Sequence, residues 1–166
     1  MTSRLPGGKQ RRGMVLIELV VVLALFGALV GMTSVNLLGA KNSATLSATV
    51  DTVVADLSSQ QTKAMTQTTT GAGATPYGVR FESNRYILFH GGIYNASDNS
   101  NSIVPLDART TFSVINLPNA SILFASKSGE IIGYDPNAAS VTVYQQNSLV
   151  SKTIHVNQYG IVTSVQ

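Results

Sequence analysis

The sequence contains no cysteine and no tryptophan, and only 11% of its 166 residues are charged. Without cysteine the chain can form neither disulfides nor thiolate metal sites, and cysteine usage says nothing about its redox compartment. Stability must therefore come from packing. Few charges and many serine, threonine, asparagine and glutamine residues are typical of a surface that packs against copies of itself or against related subunits.

Positive charge is also scarce once the first 13 residues are set aside. The formal net charge is +3, but four of the 11 basic residues lie in that stretch, namely Arg4, Lys9, Arg11 and Arg12. The seven basic and eight acidic residues that remain give a net charge of −1. Proteins that bind nucleic acid concentrate basic residues against the phosphates. The composition therefore argues against nucleic acid as a partner.

Motifs for catalysis and for metal binding are missing as well. The sequence has no G-x-S-x-G, H-E-x-x-H or phosphate-binding loop, so we predict neither an enzyme nor a cofactor. The two histidines, His90 and His155, have no second ligand at helical spacing, which argues against zinc. Residues 98–101 are similar to part of a calcium loop but lack its glycine and its distant glutamate. We predict a solvated loop there.

What the sequence does have is an apolar run from Met14 to Met32 that contains one acidic residue, Glu18. A carboxylate among aliphatic side chains in a membrane costs about 2.5 to 3.5 kcal/mol near a helix centre and less near its end. A secretory signal has a shorter apolar core and a small-residue cleavage site. A plain membrane anchor of roughly 20 residues fits the length of the run but leaves Glu18 unexplained.

The segment GMVLIELVVVLALFG, from Gly13 to Gly27, resembles the processing and assembly segment of type IV prepilins and type II secretion pseudopilins. The resemblance implies that a prepilin peptidase cuts after Gly13 and methylates the new amino terminus at Met14. Glu18 is then the fifth residue of the mature chain, where the family's carboxylate meets the methylated amine of a neighbouring subunit. Many family members begin with phenylalanine, so Met14 is a mild departure.

The same resemblance implies a location and a set of partners. The basic leader before the apolar run holds that end in the cytoplasm, so the remainder faces outward from a bacterial inner membrane as a single-pass protein. From there it would enter a pseudopilus or a pilus. The implied partners are the prepilin peptidase, other pilins or pseudopilins, the inner membrane and an assembly platform protein.

Beyond Met32 the apolar residues become periodic, with steps of three and four. They are Leu46, Val50, Val53, Val54, Leu57, Ala64 and Met65. This period predicts an amphipathic helix that continues the apolar one to about Thr66. We divide the chain into a leader (1–13), a transmembrane and assembly helix (14–38), an amphipathic helix (39–67) and a β-rich domain (68–166). The predicted class is α+β, with the long amino-terminal helix packed on antiparallel sheet.

The β-rich domain begins after TTTGAGATP, residues 68–76, whose glycines and proline predict the break after the helix. Alternating apolar residues between short polar links predict antiparallel strands. These are Tyr77–Glu82, Arg85–His90, Thr110–Asn116, Ala120–Ser126, Glu130–Tyr134, Ser140–Gln146, Val150–Asn157 and Gly160–Val165. Residues 91–101 are polar and rich in turn formers, so we expect a mobile loop there.

The helix, the YGVRF hairpin, the ILFASKSGEI pair and the final KTIHVNQYGIV hairpin resemble the H-type (GspH/FimT-like) minor pseudopilin domain. This resemblance implies a minor pilin or pseudopilin, a structural subunit of a type II secretion pseudopilus or a type IV pilus, with a part in initiation or at the tip.

Two alternatives stay open at this point. The first is a DNA-uptake minor pilin, since some relatives bind DNA through arginines at the final hairpin. Residues 158–162 of this chain contain no arginine, although Arg80, Arg85, Lys127 and Lys152 could cluster in space. The second alternative is a single-pass membrane protein whose outer domain binds a ligand and never assembles.

Overall fold

The first regular element is helix α1, Arg11–Thr66. The computed structural model describes the backbone of residues 11–66 and 75–166, and the side chains of residues 15–31, 43–66 and 75–166. The chain divides into two compact units, residues 1–41 and 42–166, with α1 contributing to both. The predicted break at residues 68–76 lies mostly outside the described residues, and the β region begins at Tyr77.

Two four-stranded antiparallel sheets follow the helix. The first has the order β3-β2-β1-β5 and the second the order β4-β6-β7-β8. The strands are β1 (Tyr77–Glu82), β2 (Arg85–His90), β3 (Ser102–Pro105), β4 (Thr110–Asn116), β5 (Ser121–Phe124), β6 (Ser140–Gln145), β7 (Val150–Val156) and β8 (Val162–Val165). A short 3₁₀ turn, Pro118–Ala120, precedes β5. The fold is thus α+β with antiparallel sheets, as predicted.

One face of α1 between residues 43 and 66 supplies the helical half of the core. Leu46, Val50, Val53, Leu57 and Ala64 are each at most 3% exposed and belong to one cluster with the buried side chains of both sheets. Their steps of three and four are those of a helix face turned toward a sheet. The predicted amphipathic helix is confirmed.

The core cluster departs from the predicted helix face at its carboxyl-terminal end. Met65 is 49% exposed, whereas Gln60, which the apolar pattern did not single out, is buried. The carbonyl of Ala64 accepts a hydrogen bond from the backbone N–H of Lys127 at 2.9 Å. This bond satisfies one of the carbonyls that a helix end leaves without an intrahelical partner.

Gln61 connects the same helix end to two loops of the β region. Its Nε2 donates to the carbonyl of Gly129 at 2.9 Å and to that of Tyr159 at 2.5 Å. Gly160 lies in the left-handed region, with φ +75°, and a Cβ at this position would come within 2.6 Å of the Gln61 amide nitrogen and 2.7 Å of the Phe124 ring. Glycine is therefore required at the close approach of this loop to the helix.

Most predicted strands are present with bounds close to the predicted ones. β1, β2 and β4 have the predicted bounds, and β6 and β7 each end one residue earlier. β1 and β2 pair as the predicted hairpin, with Glu82 opposite Arg85. β5 is shorter than predicted at both ends, and β8 begins two residues later because Gly160 forms part of the preceding turn.

One strand prediction in the β region was wrong, and one strand was missed. The predicted strand Glu130–Tyr134 forms only a single bridge, between Ile131 and Phe124, because the chain turns at Gly133, where φ is +69°. Conversely, β3 (Ser102–Pro105) follows the polar loop and was not predicted. This strand is only four residues long and ends in proline, which is tolerated because β3 is an edge strand.

Tyr86 holds the first sheet to α1 through a buried hydrogen bond. Its side chain is 1% exposed, and its hydroxyl donates to Oδ2 of Asp56 at 2.5 Å. Burial, and after it the hydrogen bond to the Asp56 carboxylate, raise the pKa of the Tyr86 hydroxyl above its ordinary value of about 10. The folded protein therefore keeps this hydroxyl neutral at a pH where the unfolded chain releases its proton.

We expect Tyr86→Phe to lower the free energy of unfolding at pH 7 by about 1.5 kcal/mol, because a hydrogen bond to a charged acceptor is lost. The contribution of the Tyr86 hydroxyl to the free energy of unfolding is fully present below pH 10. As the pH rises above that value, this contribution falls by up to about 1.4 kcal/mol per pH unit. Urea unfolding at pH 7 to 11 measures both effects. Tyr159→Phe, at a side chain 53% exposed, is the control. Parallel pH curves for the wild type and Tyr86→Phe would contradict the assignment.

Candidate functional site

The candidate site is the helical segment of residues 15–31, which the structure describes with apolar side chains exposed on every side. Each large apolar residue in it is at least 44% exposed, the value for Val22, and the largest value is 66%, for Val15 and Leu16. This contrasts with residues 43–66, where one face is buried. A helix that is apolar all round is characteristic of burial in a protein core or in lipid.

Glu18 is exposed within this segment and is the only charged residue between positions 15 and 31. Its neighbours one helical turn away whose side chains are described, Val15, Val21 and Val22, are all valine, so none of them supplies a cation. No ion pair found among the described residues involves Glu18. A partner for this carboxylate must come from another part of the chain or from another molecule.

For the two residues predicted for processing, the structure describes the backbone only. Gly13 and Met14 lie within the bounds of α1, but their surroundings are outside the described residues, as is the leader up to residue 10. Within the residues whose side chains are described, no helical stretch is both long enough and apolar enough to cross a bilayer.

His90 has a neighbourhood that the linear sequence did not show. The loop after β2 brings Ser100 Oγ to 2.9 Å and Asp98 Oδ2 to 4.0 Å from His90 Nδ1. Ser100 also donates to Asp98 Oδ1 from its hydroxyl at 2.6 Å and from its backbone N–H at 2.9 Å. These two hydrogen bonds hold the pKa of the Asp98 carboxyl below its usual range, and the one from the Ser100 side chain has the larger effect.

This cluster lies at the surface. The Ser100 hydroxyl donates to Asp98 Oδ1, and which atom donates in the contact between Ser100 Oγ and His90 Nδ1 depends on the tautomer of the ring. Residues 98–101 form a hydrogen-bonded turn, in which the Asp98 carbonyl accepts from the backbone N–H of Asn101 at 3.2 Å. Among the described residues, no group of three or more histidine, aspartate or glutamate side chains is placed to hold a metal ion.

Two of the four basic residues considered for a nucleic-acid surface, Lys127 and Lys152, meet α1 at points far apart. Lys152 Nζ donates to Ser47 Oγ at 3.1 Å, whereas the Lys127 backbone N–H bonds to the carbonyl of Ala64. Positions 47 and 64 are about 26 Å apart along the helix. Arg85 pairs with Glu82 at 2.6 Å, and the Arg80 guanidinium donates to the Asn119 carbonyl. The structure does not gather these four residues into one patch.

Comparison with known proteins adds no family assignment. The chain matches no protein-family model, and the searches of curated proteins and of solved structures give no significant match.

Proposed function

We propose that this chain is a minor pilin or pseudopilin, a structural subunit of a type II secretion pseudopilus or a type IV pilus. The observation that supports this most strongly is the helical segment of residues 15–31, whose apolar side chains are exposed all round a single carboxylate. Such a surface is not stable in water and needs lipid or other apolar helices around it. In the family that the motif around Gly13 resembles, such a helix lies first in the membrane and then among the apolar helices of a filament.

In this proposal, residues 14–38 first anchor the precursor in the bacterial inner membrane, with residues 42–166 outside the cytoplasm. The prepilin peptidase then removes residues 1–13 and methylates the amine of Met14. An assembly platform protein extracts the mature chain into a filament, where its apolar helix packs against those of other subunits.

The step from membrane to filament gains little hydrophobic free energy, because lipid already covers the apolar side chains. Packing and polar pairing therefore decide whether the subunit leaves the bilayer. Glu18 is the one charge in residues 15–31 that can form such a pair, and the Met14 amine of a neighbouring subunit is its proposed partner. The pair also sets how far one subunit is shifted along the filament relative to the next.

We expect Gly13→Leu to keep the precursor uncut, because the cut in the family that the motif resembles follows a glycine. In cells that contain the peptidase, intact mass measurement should show the full chain for Gly13→Leu and a chain beginning at Met14 for the wild type. Gly8→Leu introduces the same side chain elsewhere in the leader and should be cut normally.

Two results would contradict the proposal. One is loss of residues 1–13 from Gly13→Leu. The other is accumulation of uncut wild-type chain in the presence of an active prepilin peptidase, which would favour a membrane protein whose outer domain never assembles.

A further inference from the structure

The first sheet carries a cleft on the face that is turned away from α1. Along β1 and β5, Val79, Phe81 and Ile122 point into the core, so the residues between them point to the opposite face. The cleft on that face has a volume of about 560 Å³, within the range of ligand pockets. We call it the outer-face cleft; its lining includes Arg80, Phe89, Ile93, Tyr94, Leu123 and Ile132.

The outer-face cleft has an aromatic and aliphatic surface. The Phe89 ring lies over Gly78, where a Cβ would come within 2.5 Å of it, and meets Tyr94 edge to face at 5.5 Å. Ile93 is 87% exposed and Ile132 48% exposed. Two large aliphatic side chains are therefore held in water at the rim of the cleft, where a partner could cover them.

Arg80 places one positive charge in this apolar setting. Its guanidinium lies 5.5 Å from the centre of the Tyr94 ring and donates through Nη1 to the carbonyl of Asn119. Its Nε is buried and has no hydrogen-bond partner among the described residues. The guanidinium remains charged at any physiological pH, and no ion pair found among the described residues involves Arg80. The cleft therefore favours a ligand that brings an anionic acceptor.

The backbone around the cleft is also unusual. Asn119, which lines it, and the adjacent Ala120 have φ of 50° and 49°, a region that residues other than glycine seldom adopt. Gly133, on the other side, has φ +69°, which costs a glycine nothing, and asparagine also adopts this region readily. Of these three residues, only Ala120 is therefore held in a costly conformation.

We propose that the outer-face cleft binds an acidic peptide segment of a partner protein. A carboxylate side chain of that segment pairs with the Arg80 guanidinium, and a neighbouring apolar side chain covers Ile93, Tyr94 and Ile132. Nucleic acid fits poorly, because a polyanion needs several cations and Arg80 is the one charged residue among those that line the cleft in the described structure. A free inorganic anion would leave the isoleucines uncovered. The proposal goes beyond filament assembly and does not depend on it.

The test is a titration of the full chain, labelled with ¹⁵N-arginine and held in detergent micelles, with acetyl-Leu-Glu-Leu-amide and with its glutamine counterpart. NMR follows the Arg80 Nε–H signal. We expect the glutamate peptide to shift this signal in a saturable way and to bind at least tenfold more tightly than the glutamine peptide. Acetate alone should bind more weakly than the glutamate peptide, since it lacks the apolar part.

Three variants test the contact of the carboxylate with Arg80 separately from the contact of the apolar side chain with Ile93. Arg80→Gln should abolish the preference for the glutamate peptide, as monitored on the backbone signals of the cleft in a uniformly ¹⁵N-labelled sample. Ile93→Ser should weaken the binding of both peptides about tenfold. This variant should fold normally because the Ile93 side chain is exposed. Ile103→Ser, at an exposed isoleucine on β3 outside the cleft lining, is the matched control and should change neither affinity.

Equal affinity for the two peptides, an unchanged preference in Arg80→Gln, or no shift up to the solubility limit of the glutamate peptide would each overturn the proposal. Acetate binding as tight as the peptide would replace it with a small-anion site. If Arg80→Gln fails to fold, the preference of the wild-type chain for the glutamate peptide and the affinities of Ile93→Ser still test the proposal. The titration needs neither leader cleavage nor assembly, so its failure leaves the proposed function untouched.

Discussion

Replacing Glu18 by valine is expected to abolish incorporation of this chain into filaments while leaving membrane insertion and leader cleavage intact. Valine makes residues 15–31 wholly apolar, so insertion into lipid becomes easier and cannot be the step that fails. The loss occurs in the filament, where the Met14 amine of a neighbour would be buried without its carboxylate. Removing one partner of a buried ion pair costs about 3 to 5 kcal/mol, which is a loss of more than about 100-fold in incorporation.

The measurement compares the amount of variant and wild-type chain in sheared filaments, normalised to the amount of mature chain in the membrane fraction. Leu19→Ala is the matched control, because it removes apolar surface from an adjacent exposed position and keeps the charge. It should be incorporated to within a fewfold of the wild type. Normal incorporation of Glu18→Val would defeat the pairing role of Glu18, even if the chain proved to be a filament subunit.

Removing residues 1–41, which include most of the proposed membrane anchor, should leave a soluble, folded fragment. Every buried core residue that the structure describes lies at or after Leu46, and residues 42–166 form their own compact unit. The exposed apolar side chains of residues 15–31, by contrast, contribute nothing to that core. We therefore expect the fragment to appear in the soluble fraction, to show a β-rich circular dichroism spectrum and to unfold in one cooperative transition.

A core variant of the same fragment shows whether the transition reports the described fold. Phe81 is 2% exposed and packs edge to face on Phe112 at a centroid distance of 5.2 Å. Phe81→Ala should therefore lower the free energy of unfolding by about 3 to 5 kcal/mol. An insoluble or unfolded wild-type fragment would show that residues 1–41 are needed for folding, and a soluble full chain would contradict the proposed membrane anchor.

Local periodicity predicted the regular elements well where a single face is buried. The three-and-four spacing between Leu46 and Ala64 gave the helix, and alternation gave both strands of the hairpin 77–90 with their observed bounds. Prediction failed for residues 130–134, where an apolar stretch serves a turn at Gly133, and for Ser102–Pro105. These segments depend on which partner strand is within reach, which local pattern does not contain.

The two kinds of candidate site differ in the same way. The prepilin-like motif around Gly13 and Glu18 is contiguous, so its order and spacing could be read without a fold. The outer-face cleft joins Arg80 on β1 to Tyr94 and Asn119 in two different loops, and the His90 cluster joins β2 to the loop that follows it. Nothing in the spacing of these residues along the chain indicates that they meet.

The amino-acid order by itself thus determined an α+β class, a helix with one buried face and a charged residue inside an apolar run, because periodicity and hydropathy act between near neighbours. Only the tertiary structure decided the pairing of β1 with β5 and of β4 with β6, and the contact between Arg80 and Tyr94. Such contacts join residues far apart in sequence, and it is the packing of two sheets and a helix around one core that brings them together.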